Sequence, residues 1–400
     1  MSEQVSALEY FSLFIRNGTS IKQTDGATGD PITRIETIAN RTVNLAKCGY
    51  ADVSNEDYEK YILQKGDILI SHINSTKHLG KCAIYEGDEK NIIHGMNLLC
   101  LRVDENKAHA KYVFYMLSSS GFLGQLPKIT KNSVNQSSFN VKSFQQLTVP
   151  LPPLDTQKKI AAVLEKADQL RKDCQQMEQE LNSLAQSVFI DMFGDPVTNP
   201  KGWDKRTLSE VLTVNHGYAF KSEYFTLEGD YVLLTPGNFK EEGGYWDRGD
   251  KQKHYSGEIP TGYILEKNNL LLAMTEQAAG LLGSSILVPE SNKYLHNQRL
   301  GLVKFKDDGQ NNVFYSYLFN NKSVRLAIHS SSTGTKVKHT SPTKLESIKV
   351  GVPPSAKQNE FELIIQAIEQ NIALNNKAKA DYEESFNALM QKAFKGELNL

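Results

Sequence analysis

VPLPPLDTQKKIAAVLEKADQLRKDCQQMEQELNSLAQSVF, residues 149–189, decides the architecture of this 400-residue chain. The two prolines at 152–153 hold the chain extended just before a helix begins. Apolar or small residues then fall at Ile160, Val163, Ala167, Leu170, Cys174, Met177, Leu181, Leu184 and Val188. The steps alternate between three and four, which is a heptad seam. Asp155 or Thr156 is placed to cap the start, and Gly194 with Pro196 to stop the helix after Phe193. From Thr156 to Phe193 such a helix spans about 57 Å.

The same plan occurs again. After Pro353-Pro354 the series is Phe361, Ile365, Ile368, Ile372, Asn375, Lys379, Tyr382, Phe386, Leu389 and Ala393, with Ser355 and Gln358 spaced as a capping box. Self-similarity runs through the whole chain. YILQKGDILI (61–70) pairs with YILEKNNLLL (263–272), His94 with His296, VFYML (113–117) with VFYSYL (313–318), and VPLPP (149–153) with VGVPP (350–354). Gln157 and Gln358 follow the two Pro-Pro stops, and LNSLAQSVF (181–189) pairs with FNALMQKAF (386–394). A globular segment, a Pro-Pro stop and a long helix are therefore each present twice. The expected domains are 1–150 and 196–352, with helices over 151–195 and 353–400. The expected fold is α+β, with two similar domains joined by two long antiparallel coiled-coil helices in pseudo-twofold symmetry. Short β-rich runs such as NLLCLRV (97–103) and LGLVKF (300–305) point to a curved or partly closed sheet whose strand order is not legible.

Net charge is −1, so any surface for nucleic acid must be local. No Asp or Glu occurs from Asn106 to Leu154, a stretch carrying Lys107, Lys111, Lys128, Lys131 and Lys142. None occurs from Gly309 to Leu345, which carries Lys322, Arg325, Lys336, Lys338, Lys344, His329 and His339. Matching acid-free windows in a balanced chain read as surfaces free of repulsion toward phosphate. Their polar loops, with SHINSTKHLGK (71–81) and DPITRIETI (30–38), supply residue types that bond phosphates and base edges. The candidate DNA contacts are Arg34, Asn74, Lys77, Lys128, Lys131, Asn132, Gln136, Lys336, Lys338 and His339. The candidate coiled-coil and partner positions are Ile160, Val163, Leu170, Met177, Leu181, Leu184, Ile365, Ile372, Tyr382, Phe386 and Leu389.

The chain contains no phosphate-binding loop, no nucleophile elbow and no zinc helix. His94 and His296 lack an evident partner and read as structural. The four cysteines form no C-x-x-C and read as reduced thiols, and no metal is expected. Without an apolar run of spanning length or a signal peptide, the expected location is cytoplasmic. A self-contained nuclease or methyltransferase and a protein-only coiled-coil adaptor are the competing classes.

The duplicated Pro-Pro…Gln…Ile helix start, with VPLPPLDTQKKIAAVLEKAD, VGVPPSAKQNEFELIIQAIEQN and LNSLAQSVFIDMFGDPVTNPKGW, resembles the specificity subunit of type I restriction–modification systems. The resemblance covers nearly the whole chain. It implies two target-recognition domains, each reading half of a bipartite DNA sequence. It also implies helices that set the gap and dock two methyltransferase subunits, and through them the motor-nuclease subunits. The chain itself would be non-catalytic and cofactor-free, with S-adenosylmethionine, ATP and magnesium used by its partners. The second domain opens with GWDKRTLSEV, but the first opens at LEYFSLFIRNG without a tryptophan, so its first strand is expected to be shortened or altered.

Overall fold

The computed structural model describes residues 5–24, 29–38, 41–52, 58–89, 91–133, 136–276, 280–334 and 337–398. The chain forms two compact units, residues 1–176 with 376–400, and residues 177–375. The division falls within both long helices, so each unit includes half of each helix.

In the first unit an antiparallel sheet runs in the order Ser12–Asn17, Leu98–Val103, Ile68–Ser71, Cys82–Ile84. In the second the order is Leu212–His216, Leu300–Phe305, Leu270–Ala273, Ser285–Leu287. Chain order maps to sheet order identically. The repeat holds at the level of register as well. Leu69 opposes Cys100, and Leu271 opposes Leu302, both partners moving by 202 residues. The central strands are apolar at nearly every position because both faces are covered. One face packs on the helix Ala110–Leu117 or Asn312–Asn320, whose Val-Phe-Tyr triplets are buried in each unit.

Among the described residues a short antiparallel ribbon closes each domain. Val5–Ala7 pairs with Thr148–Pro150 over three residues, and Asp204–Thr207 with Lys349–Val352 over four. The second unit has a further five-stranded sheet containing Val232–Leu233 and Tyr294–Leu295. Among the described residues of the first, Asp30–Ile32 pairs with Gly49–Ala51, and Ile93 bridges to Ile32 and Ile62 as Leu295 does to Leu233 and Ile264.

Both long helices have 40 residues, Leu154–Phe193 and Ser355–Phe394. The first ends where breakers were expected: Gly194 takes φ +72°, and the indole of Trp203 donates to the carbonyl of Phe193 at 3.0 Å. In the first unit the helices run antiparallel. Ile160, Ala161 and Leu164 share a core with Phe386, Met390 and Ala393, and Arg171 lies 3.4 Å from Glu383. In the second unit Phe189 and Phe193 pack edge-on against Phe361 at 5.6 and 5.4 Å, in one core with Ile365 and Ile368.

The seam needs correcting on the first helix. Its inward line is Ala161, Leu164, Asp168, Cys174, Ala185 and Phe189, all buried, with Ile160. Leu170, Met177 and Leu184 are 38, 47 and 47% exposed, while Val163 and Leu181 are half-buried. Small residues and a paired aspartate allow close approach to the sheet domains, and that line won over the one richer in leucine. On the second helix the expected series holds. Ile365 and Phe386 are buried, and Ile372, Tyr382 and Leu389 are half-buried.

Asp155 falls in the first turn of the helix rather than before it, where its charge favours the positive end of the helix dipole. Gln358 bonds elsewhere than to Ser355, as described next.

Candidate nucleic-acid interface

Each unit carries a small ribbon at the end of its central strand. In the first unit Ile73–Asn74, Ser137–Ser138 and Lys131–Asn132 pair in that order. In the second Thr275–Glu276 pairs with Lys338–His339. Among the described residues each paired strand is two residues long, with a further bridge from Thr333 to His339 in the second unit, and side chains tie the first ribbon down. The Thr76 and Ser137 hydroxyls lie 2.9 Å apart, and Ser137 Oγ donates to Asn132 Oδ1 at 2.8 Å.

This ribbon brings together several of the expected contacts. Asn74, Lys131 and Asn132 lie on its strands, Gln136 closes its turn through a carbonyl bonded to Ser133, and Lys77 follows on the adjoining turn. Lys77, Lys131, Asn132 and Gln136 are exposed; Asn74 is half-buried and its amide donates to Ser71 Oγ at 3.2 Å. Lys128 is exposed at the end of the turn Leu126–Lys128. Arg34 is not on the ribbon strands; it enters the turn Ile35–Ile38 with its guanidinium on Gln23 Oε1 at 2.5 Å. In the second unit Lys338 and His339 lie on the ribbon, and Lys336 is outside the described residues.

The acid-free windows are not acid-free in space. Lys107 meets Asp104 at 3.3 Å, and Lys111 meets Glu86 at 2.7 Å and also Glu165. Arg325 is turned inward onto carbonyl oxygens, and His329 faces Glu276. These four residues are committed within the protein. Among the described residues Lys128, Lys131, Lys142, Lys322, Lys338 and Lys344 have no such ion pair and remain free for phosphate.

The two repeated histidines have one job. His94 Nε2 donates to the Leu98 carbonyl at 2.9 Å, and His296 Nε2 to the Leu300 carbonyl at 3.0 Å. Both are buried, and burial pushes both down to about 4, so each is a neutral strut. Their own carbonyls accept from Thr19 and Tyr218, each at 2.9 Å. At this crossing a Cβ on Gly18 would lie 2.3 Å from Gly95, and one on Gly217 would lie 2.3 Å from Asn297. His72, a residue the sequence did not single out, is also buried and pushed down to about 4 by burial, and Met274 stands at its place in the second unit.

The repeated glutamines, of which the sequence offered a role only for Gln358, are fully buried joints. Gln157 Oε1 accepts from the His109 N–H at 2.9 Å, while Nε2 donates to the carbonyls of Pro152 at 2.8 Å and Lys107 at 3.3 Å. Gln358 Oε1 accepts from the Asn311 N–H at 3.0 Å, and Nε2 donates to the Pro353 carbonyl at 2.9 Å and Gln310 Oε1 at 3.2 Å. Each glutamine thus fastens the start of a long helix to the residue that opens the short helix of the same unit. Gln358 is occupied here rather than in the capping box.

None of the four cysteines is in a disulfide, and three of them are buried. No group of three or more His, Cys, Asp or Glu among the described residues is arranged to hold a metal ion. No helix there is long and apolar enough to cross a membrane.

The chain matches the family described as "Type I restriction modification DNA specificity domain" twice, over residues 9–183 and 200–383. It is 30% identical over 395 residues to the "Putative type I restriction enzyme MjaX specificity subunit" of Methanocaldococcus jannaschii, covering 96% of this chain and 91% of that one. With the EcoKI specificity subunit of Escherichia coli it shares 25% identity over 190 residues, 46% of this chain and 41% of that one. In fold it is similar to the crystal structure of the type I restriction–modification S subunit from M. genitalium. That comparison has a TM-score of 0.56 at 14% identity, covering 98% of this chain and 96% of that one. A chain from a structure of type I restriction–modification complex assembly gives 0.58 at 14% identity, covering 99 and 98%. With the family domain occurring twice and a full-length relative at this identity, the chain belongs to the type I restriction–modification specificity subunits, which recognise DNA and are not themselves catalytic.

Proposed function

We propose that each unit reads one half of a bipartite duplex DNA target through its ribbon, and that the two long helices set the gap between the halves. The observation that carries this reading is the duplication of one scaffold with unlike ribbons. Sheet order and register are shared, while Ser137–Ser138, paired with the Asn74 strand in one unit, give way to Lys338–His339, paired with the Glu276 strand in the other. A common scaffold holds each ribbon, and different side chains select different bases. Free lysines beside the ribbons supply the sequence-independent attraction to phosphate.

Methyltransferase subunits dock on the helices in this reading, and motor-nuclease subunits join through them. Leu170, Met177 and Leu184, seven residues apart on one continuous helix and open to solvent, are the docking positions. S-adenosylmethionine, ATP and magnesium serve those partners and not this chain. Co-expression with the methyltransferase subunit, followed by genome-wide methylation mapping, tests the proposal. Two short conserved blocks at a fixed gap are expected. A single uninterrupted target, or methylation without sequence preference, overturns it.

A further inference from the structure

The second unit's ribbon is held by charged side chains that face away from solvent. Glu276 is 4% exposed, and its Oε2 accepts from the N–H groups of Gly280 at 3.1 Å and Leu282 at 2.8 Å. His329 Nδ1 lies 3.6 Å from the other carboxylate oxygen. Arg325 holds the carbonyls of the same turn. Its Nε donates to the Leu282 carbonyl at 2.9 Å, one terminal nitrogen donates to the Gly280 carbonyl, and the other reaches the Glu241 carbonyl at 3.1 Å.

Gly280 and Leu282 therefore have both their N–H and their C=O taken by side chains. The turn needs its glycines. Gly280 sits at φ +106° and Gly283 at φ +78°, backbone conformations that residues with a side chain rarely adopt. Beyond the turn, Ser284 Oγ donates to the Lys240 carbonyl at 2.7 Å, and the Gly244 N–H donates to the Ser285 carbonyl at 3.0 Å. One chain of bonds thus runs from Glu276, the residue opposite Lys338, through the 280–285 turn and out to the 240–244 loop.

We propose that Glu276 and Arg325 form a positioning clamp for base choice by the second unit, although neither touches DNA. The inference rests on the reading of the ribbons as DNA contacts. Discrimination between bases requires donors and acceptors held within a fraction of an ångström, and a two-residue ribbon cannot provide that alone. The first unit achieves the same end without charge. Asn74 replaces Glu276 there, and the Thr76–Ser137–Asn132 chain of hydroxyl and amide bonds spans the ribbon. The two units therefore fail separately.

The test uses this chain assembled with its methyltransferase subunits on DNA in which both half-sites are randomised, with methylated sequences read out. Arg325→Met is expected to relax base preference in the second unit's half-site by about tenfold, the scale of one lost base discrimination, and to leave the other half-site unchanged. Arg325→Lys, which keeps the charge and three donors, recovers part of the preference. Thr76→Val relaxes the other half-site alone. Should Arg325→Met fail to fold, Glu276→Gln, of equal volume, is measured in its place with the same expected relaxation. Unchanged preference in the folded variants overturns the clamp, as does equal relaxation of both half-sites. A wild-type complex without bipartite preference removes the reading beneath it as well, and that result is distinguishable because no variant is needed to see it.

Discussion

Replacing Gln157 by alanine tests whether the long helix is fastened to the first domain by one buried amide. The side chain is fully buried and makes three hydrogen bonds, accepting from His109 and donating to Pro152 and Lys107. At roughly 1 kcal/mol net for each bond, the loss is about 3 kcal/mol. The orphaned His109 N–H and Pro152 carbonyl keep the cost near that figure unless water enters. Urea unfolding of the full chain, followed by circular dichroism, reads the shift in midpoint at constant slope. Amide hydrogen exchange at His109 reads the same bond locally. Gln157→Glu should lose at least as much near neutral pH, because a carboxylate cannot donate to the two carbonyls. A shift below about 0.5 kcal/mol with His109 still protected would refute the idea that the glutamine is a joint.

Other perturbations separate structural from functional charge. Asp67 is buried against Arg102, with two bonds of 2.7 Å, so Asp67→Asn should cost roughly 3 kcal/mol in chemical denaturation; a neutral result would show the pair to be dispensable. His72, His94 and His296 are each lowered to about 4 from an ordinary 6.5. The unfolded chain therefore takes up their protons first, and the stability they lend is complete above 6.5 and falls away as pH drops toward 4. At pH 5.5 each costs about 1.4 kcal/mol. The first unit, with two of them, should lose about twice what the second does, and His94→Gln, which retains a donor, should flatten its acid limb; equal stability of wild type at pH 7.5 and 5.5 would contradict this. In salt titrations of DNA affinity, Lys131→Ala should reduce the slope of log K against log salt by about 1. Lys111→Ala should leave that slope unchanged because Glu86 and Glu165 already hold the ammonium.

The duplication and both long helices were legible because they rest on spacing, which survives even where side chains differ. The inner face of the first helix was not legible. Val163, Leu170, Met177 and Leu184 carry the apolar seven-residue step, whereas the face that packs inward holds Ala161, Asp168 and Ala185. Nothing in a heptad count announces that small residues and an aspartate will be buried. Asp168 is tolerated there because Arg171 at 2.9 Å and Lys172 at 3.1 Å neutralise it. The two-residue ribbons were also out of reach, being too short to show any period. Runs without acid located the candidate surface but overstated it, since Asp104, Glu86, Glu165 and Glu276 reach lysines and a histidine of those windows from outside. The paired histidines and glutamines were visible as repeats, yet their hydrogen-bond roles needed coordinates.

The glycine crossing beside each buried histidine sets a rule for anyone seeking to retarget this protein. At Gly18 and Gly217 a single added carbon would strike backbone at 2.3 Å, so no rotamer can relieve it. A combinatorial library should freeze those two codons and diversify the ribbons. Variants that breach the crossing would be discarded as misfolded before their preferences could be scored.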